Sequence, residues 1–195
     1  MTGRRGFNVR PDPVIAQNPV GSLLEAGFGP DGLATACFDR DRKYRYRLSR
    51  VWDESLSRIV WCMLNPSTAS AFESDRTLNK IIRYSRAWGY GAVEVVNLFA
   101  YRTPYPSELR LVADPVGLGN DDAIAAAVGQ AEMVVAAWGN HGMRVNPLTS
   151  EPRYVEAIHL FRQAGIRPHC LRSTERGQPG HPLRLPRDLR PFPMM

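Results

Sequence analysis

Four side chains in this sequence are suited to acting on a polar substrate: the amides of Asn65 and Asn97 and the imidazoles of His141 and His181. Asn65 lies in Met63-Leu64-Asn65-Pro66-Ser67-Thr68-Ala69, where the apolar run Ile59 to Leu64 stops. An Asn amide carries one acceptor oxygen and two donor hydrogens, so it can hold a water or read a paired donor and acceptor on a base edge. Pro66 fixes the backbone beside it. A structural Asx turn at Asn65 is the alternative. Ser67 adds a hydroxyl to the same loop. Asn97 ends the apolar segment Val93 to Asn97. His141 follows Trp138-Gly139-Asn140 at the end of another, and His181 lies in Gln178-Pro179-Gly180-His181-Pro182-Leu183. A His beside a developing negative charge can donate a hydrogen bond or a proton.

Asp75 could serve as a general base, although capping a helix is the preferred role. His159 and His169 fall within a predicted helix and strand and read as structural. Tyr101, Arg102 and Tyr105 occupy a long polar loop and are candidate substrate contacts, since an aromatic ring can stack on a base or sugar. Trp88 and Trp138 read as core. No Ser or Cys sits in a recognisable nucleophile motif. No GxxxxGK[ST] phosphate loop occurs, and the carboxylates and histidines lack metal-ligand spacing, so no metal or cofactor is expected.

These residues need elements that bring them together. Apolar runs ending in polar tips read as buried strands, and ligands bind at the carboxyl ends of such strands. Tyr44, Tyr46 and Leu48 alternate with Lys43, Arg45 and Arg47, predicting a strand with an apolar and a basic face. The basic face reads as solvated or as an edge, with phosphate contact as the alternative. Trp52 to Ser55 predicts a turn into a strand over 57–64, an antiparallel hairpin. Leu78, Ile81, Ile82, Ser85 and Trp88 share one face of a helix ended at Gly89. Strands over 92–98, 133–138 and 167–171 alternate with helices starting near Asn120 and Pro152. The order β-β-α-β-α-β-α-β predicts a three-layer α/β/α sandwich, with a mostly parallel central sheet and an N-terminal antiparallel β-hairpin. Residues 1–33 form an extended or partly disordered leader, 34–185 one α/β domain and 186–195 a C-terminal tail.

The 195 residues suit one domain. No run approaches the length of a membrane helix, and Met1 to Val20 has arginines without the apolar stretch of a secretory signal. Cys37, Cys62 and Cys170 are scattered and odd in number, pointing to a reducing cytoplasm rather than a disulfide framework. A net charge of +6 permits a polyanionic partner. Only Lys43 and Lys80 are lysines, a skew that genome composition also produces. Oligomeric state is not legible.

The set Asn65-Pro66-Ser67-Thr68-Ala69, Trp88-Gly89-Tyr90-Gly91, Asn97 to Arg102, Ala137 to Gly142 and His181-Pro182-Leu183 resembles an uncharacterised bacterial and phage domain-of-unknown-function family, over Tyr44 to about Leu185. The motif order is also similar, more distantly, to the uracil-DNA glycosylase superfamily, especially its mismatch-specific branch. That resemblance implies an α/β/α fold with a short parallel sheet. It implies that Asn65 positions the attacking water and that Asn97 reads the base edge. His181-Pro182 would contribute to catalysis or to DNA intercalation. Met63 stands where that superfamily has Gly, and Leu183 where Ser follows His-Pro.

Three functions follow as expectations. The first is a glycosylase-like hydrolase that flips a nucleobase out of DNA, with Asn65 and His181 catalytic, Asn97 on the base, and Arg102, Arg184 and Arg187 on phosphates. The second is an enzyme on free nucleotides or a small anionic metabolite, with Arg102 and His141 as anion contacts. The third is a non-catalytic nucleic-acid-binding module.

Overall fold

The computed structural model describes residues 18–67 and 71–194. The turn at Pro30-Asp31-Gly32, with Gly32 at φ +97°, folds β1 (Leu23–Gly29) back on β2 (Gly32–Phe38). Proline presets φ for such a turn and glycine accepts the positive φ. β3 (Arg45–Val51) continues the antiparallel meander. β4 (Arg58–Met63), β5 (Ala92–Asn97), β6 (Met133–Ala136) and the short β7 (His169–Cys170) and β8 (Phe192–Pro193) complete a sheet of order β1-β2-β3-β5-β4-β6-β7-β8.

This overturns the expected mostly parallel sheet. Among the described residues the sheet is mixed: four strand pairings are antiparallel and three, β5·β4, β4·β6 and β6·β7, are parallel. The leader expected over 1–33 overlaps β1 and the start of β2, which supply one of those antiparallel pairs. Its residues 1–17, with Arg4, Arg5 and Arg10, lie outside the described residues, as do Thr68 and Ala69. The tail expected over 186–195 contains β8, paired to β7.

The expected hairpin of β3 with β4 is also corrected. β5 lies between them, antiparallel to β3 and parallel to β4. The turn after β3 arches over the start of β5. Trp52 and Asp53 N–H groups both donate to the Gly91 carbonyl at 3.0 Å, and the Gly91 N–H donates to Ser57 O. A Cβ on Gly91 would overlap the Asp53 carbonyl, so this crossing needs glycine.

The expected alternation along β3 fails at one residue. Cys37 pairs with Arg47 but Phe38 pairs with Arg45, so Tyr46 is an extra residue, a β-bulge. Beyond it the faces exchange. Tyr46 joins the cluster of Cys37, Ala100 and Ala123, while Leu48 packs with Ile59, Trp61 and Val95 on the other side. Arg45 is thereby turned to the Leu48 side and Arg47 is left on the opposite one. Neither is solvated; each is 5% exposed. Arg47 and Arg58 both pair with the buried carboxylate of Glu94.

α1 (Arg76–Ala87) covers one face of the sheet through Leu78, Ile81 and Ile82. Each such aliphatic side chain contributes on the order of 1.5–3 kcal/mol on burial. Asp75 caps it, accepting from the Leu78 N–H at 2.8 Å. Trp88 closes it and stacks on Trp61, with ring centroids 5.7 Å apart. α2 (Asn120–Val128) and α3 (Arg153–Gln163) cover the other face, packing on Val60, Cys62, Val96 and Val134. Burial pushes the Cys62 thiol up to about 12. No described helix is long and apolar enough to cross a membrane.

Candidate functional site

The carboxyl ends of the parallel strands β4, β5 and β6 open into one cavity of about 340 Å³. In this strand order β5 lies to one side of β4 and β6 to the other, the arrangement in which crossovers diverge and leave a crevice. Asn65 follows β4, Asn97 ends β5, and Gly139 and His141 follow β6; all line the cavity, with Ser67 and His181. Asn65, Ser67, Asn97, His141 and His181, all singled out in the sequence, are therefore brought together.

The Asn65 amide has a defined orientation. Its Nδ2 donates to Thr103 O at 2.7 Å and to Pro66 O at 3.1 Å. Both donor hydrogens are engaged with loop carbonyls, so the side-chain oxygen is the end left to accept from a ligand or water. The Thr103 N–H donates in turn to Pro66 O, locking the two loops together. Asn97 is 2% exposed and shares its strand face with Val95, toward α1. The backbone around it is tied from the far side of the sheet. Asn120 Nδ2 donates to Asn97 O and Leu98 O, both at 3.0 Å, and Arg153 Nε donates to Leu98 O at 2.7 Å.

His181 comes from the far end of the chain. Trp138 Nε1 donates to Gln178 Oε1 at 2.9 Å, and the Gly139 N–H donates to Pro179 O at 2.8 Å. These bonds pin the segment carrying His181 to the end of β6. Its Nδ1 accepts from the Leu183 N–H at 3.3 Å, which leaves Nε2 as the protonated nitrogen of the neutral ring. Desolvation lowers the His181 pKa below its ordinary value, and the Asp75 carboxylate opposes this. The neutral donor form is thus favoured.

Asp75 is both cap and cavity lining. Its second carboxylate oxygen accepts from the Ser67 hydroxyl at 3.3 Å. Arg45, Glu73 and Thr77 also line the cavity, and sequence reasoning passed over them as site residues. Burial pushes the Arg45 guanidinium down to about 10; Arg102 and Arg50 add to this and Asp75 opposes it. The floor is apolar, with Leu48, Met63, Leu78, Ile81 and Val95. The site can therefore receive a flat, part-apolar group and meet its polar edge with amide, imidazole and charged groups.

Other candidates lie elsewhere. Tyr101 packs edge-on against Tyr44, with centroids 5.8 Å apart. Arg102 donates to Arg42 O at 2.8 Å and sits 5.0 Å from the Phe38 ring centroid. Tyr105 is exposed, although its neighbours Pro104 and Pro106 line the cavity. Arg184 is exposed in the short 3-10 turn after His181, and Arg187 lines a separate cleft beside α1. Trp138 is core, as read, and also forms part of the cavity wall. Among the described residues no group of three or more His, Cys, Asp or Glu is placed to hold a metal ion.

The family profile described as "Protein of unknown function (DUF1643)" matches residues 45–183. No curated protein and no solved structure matches the chain. The likeness to the uracil-DNA glycosylase superfamily thus rests on motif order alone. The matched segment begins at Arg45 and reaches past His181, so it spans every residue that lines the cavity. The chain belongs to the DUF1643 family.

Proposed function

We propose that this DUF1643 protein hydrolyses the N-glycosidic bond of a nucleobase in DNA. The observation that carries the reading is the convergence of Asn65, Asn97 and His181 on one cavity of about 340 Å³, each with an orientation or burial suited to a separate task. The target nucleotide is flipped into the cavity, since its glycosidic bond is shielded in the duplex. The Asn65 side-chain oxygen accepts a hydrogen bond from a water and aims it at C1′. The C1′–N bond breaks with its electron pair leaving on the base, and the new C1′–O bond forms from the water. The water's proton is lost to solvent, and the departing base anion takes up a proton. His181 Nε2–H donates a hydrogen bond to that anion as it forms. Asn97 meets the base edge with its donor and acceptor.

The test is cleavage of labelled oligonucleotides carrying single uracil, mismatched or modified bases, with alkali to reveal abasic sites. Abasic product is expected from the wild type. Asn65→Ala is expected to bind DNA and to lose turnover. Wild-type turnover in that variant refutes the role of Asn65. Absence of product from every substrate refutes the reaction.

One observation favours a second reading, an enzyme on free nucleotides or a small anionic metabolite. Tyr101 and Arg102 stand away from the cavity, whereas the buried Arg45 supplies a cation within its wall. A ligand wholly inside the cavity would meet that cation beside the carboxylates of Glu73 and Asp75. Turnover of free nucleotides that DNA does not compete against would select this reading.

A further inference from the structure

A second cleft, of about 190 Å³, lies beside α1 and is lined by Lys80, Arg83, Tyr84, Ala87 and Arg187. Three of its five lining residues are cations, and none is a carboxylate. Arg83 and Arg187 are exposed. Lys80 is held in place: its Nζ donates to Leu185 O at 2.6 Å and stands 5.5 Å from the Tyr84 ring centroid. The Tyr84 hydroxyl bonds Pro186 O. Asp188 is the acidic neighbour, felt at Tyr84. The cleft is thus a shaped surface with its walls fixed by the chain segment that follows His181.

That segment connects the two concavities. His181 lines the cavity, the short turn Pro182–Arg184 packs on α1, and Arg187 lines the cleft. α1 makes the same connection from the other side. Thr77, Leu78 and Ile81 face the cavity, while Lys80, Arg83 and Ala87 face the cleft. Lys80 and Ile81 are adjacent in the helix, so the two concavities lie on adjoining faces of α1.

We infer that the Lys80–Arg83–Arg187 cleft binds the phosphodiester backbone of a nucleic-acid strand whose target base occupies the cavity. This rests on the reading of the cavity as a nucleobase site. The cleft is a positioning surface and takes no part in bond cleavage. It holds the strand beside the cavity, with Arg83 and Arg187 making the salt-sensitive contacts.

The test uses the full chain and a short, labelled DNA duplex containing one uracil, followed by fluorescence anisotropy across a salt series. The double variant Arg83→Glu/Arg187→Glu is compared with Arg162→Glu, an exposed charge reversal on α3 across the sheet. Thermal melting verifies that each variant is folded. The double variant is expected to bind at least ~10-fold more weakly at low salt and to lose about one unit of log–log salt slope per phosphate contact removed. Arg162→Glu is expected to stay within about twofold of wild type, as one distant charge acts only through the screened overall field. Equal affinity of the double variant and Arg162→Glu overturns the cleft, even where the wild type cleaves. Absence of oligonucleotide binding by the wild type also overturns it. Salt-sensitive binding that the double variant loses, without cleavage of any substrate, upholds the cleft and removes the glycosylase reaction alone.

Discussion

Asn120 is fully buried on the side of the sheet opposite the cavity, and its amide reaches through to the backbone at Asn97 and Leu98. Asn120→Ala removes two hydrogen bonds of 3.0 Å from a side chain that is 0% exposed. Leu98 O keeps the Arg153 guanidinium as a donor, so the loss falls mainly on Asn97 O. Two neutral buried bonds at about 0.5–1.5 kcal/mol each predict a loss of about 1–3 kcal/mol. For a chain of this size, each kcal/mol shifts Tm by roughly 2–4 °C, giving a drop of about 2–12 °C. Asn120→Asp is the sharper probe. It keeps the volume but faces both carbonyls with acceptors, so it must fall further than the alanine variant. Thermal and urea unfolding of the three proteins measure this. Two variants melting within about 1 °C of wild type, or an aspartate variant as stable as the alanine one, would refute the reasoning. The expected order would make Asn120 the support of the strand end that presents Asn97.

Three further outcomes follow from the same geometry. Glu94→Gln leaves Arg47 buried without its carboxylate and should cost about 3–5 kcal/mol in urea unfolding, the usual penalty for breaking a buried pair. His181 has a folded pKa below its ordinary 6.5, so the unfolded chain binds more protons in the window between the two values. Wild-type stability should therefore fall as pH drops through that window, and His181→Gln should lack this component when melts are compared from neutral to acid pH. Gly142→Ala places a Cβ against the Trp138 ring in the cavity wall; overpacking of about 1–3 kcal/mol is expected by thermal melting, with weakened ligand binding at the cavity.

Much of the site was legible because apolar runs that stop at a polar residue report strand ends without any knowledge of topology. Asn65, Asn97 and His141 were found that way, and the helix faces through Leu78 and Ile81 followed from their spacing. The sheet was less legible. Strand order depends on contacts between distant segments, and nothing local reveals that β5 inserts between β3 and β4. The N-terminal hairpin carried a readable signal, Pro30-Asp31-Gly32, but β1 has little alternation and exposes Leu23, Leu24 and Phe28, as an edge strand does. Arg45 was hidden by arithmetic: alternation placed it with Arg47, and a single bulged residue separates them. Tyr101 and Arg102 read as substrate contacts because a long polar loop offers a ring to stack and a cation to pair. That loop spends them on Arg42 and Tyr44.

The bulge at Tyr46 also bears on how relatives of this chain should be aligned. Along a regular strand, parity of position decides which side of the sheet a residue serves, and one supernumerary residue resets that parity for everything before it. A homologue lacking one residue near position 46 would keep a strand of similar composition yet turn the counterpart of Arg45 away from the cavity. A one-residue gap there is therefore a change in the charge of the pocket wall. Family members sorted by the presence of that gap should separate by the ligand they accept, even where every cavity residue is identical.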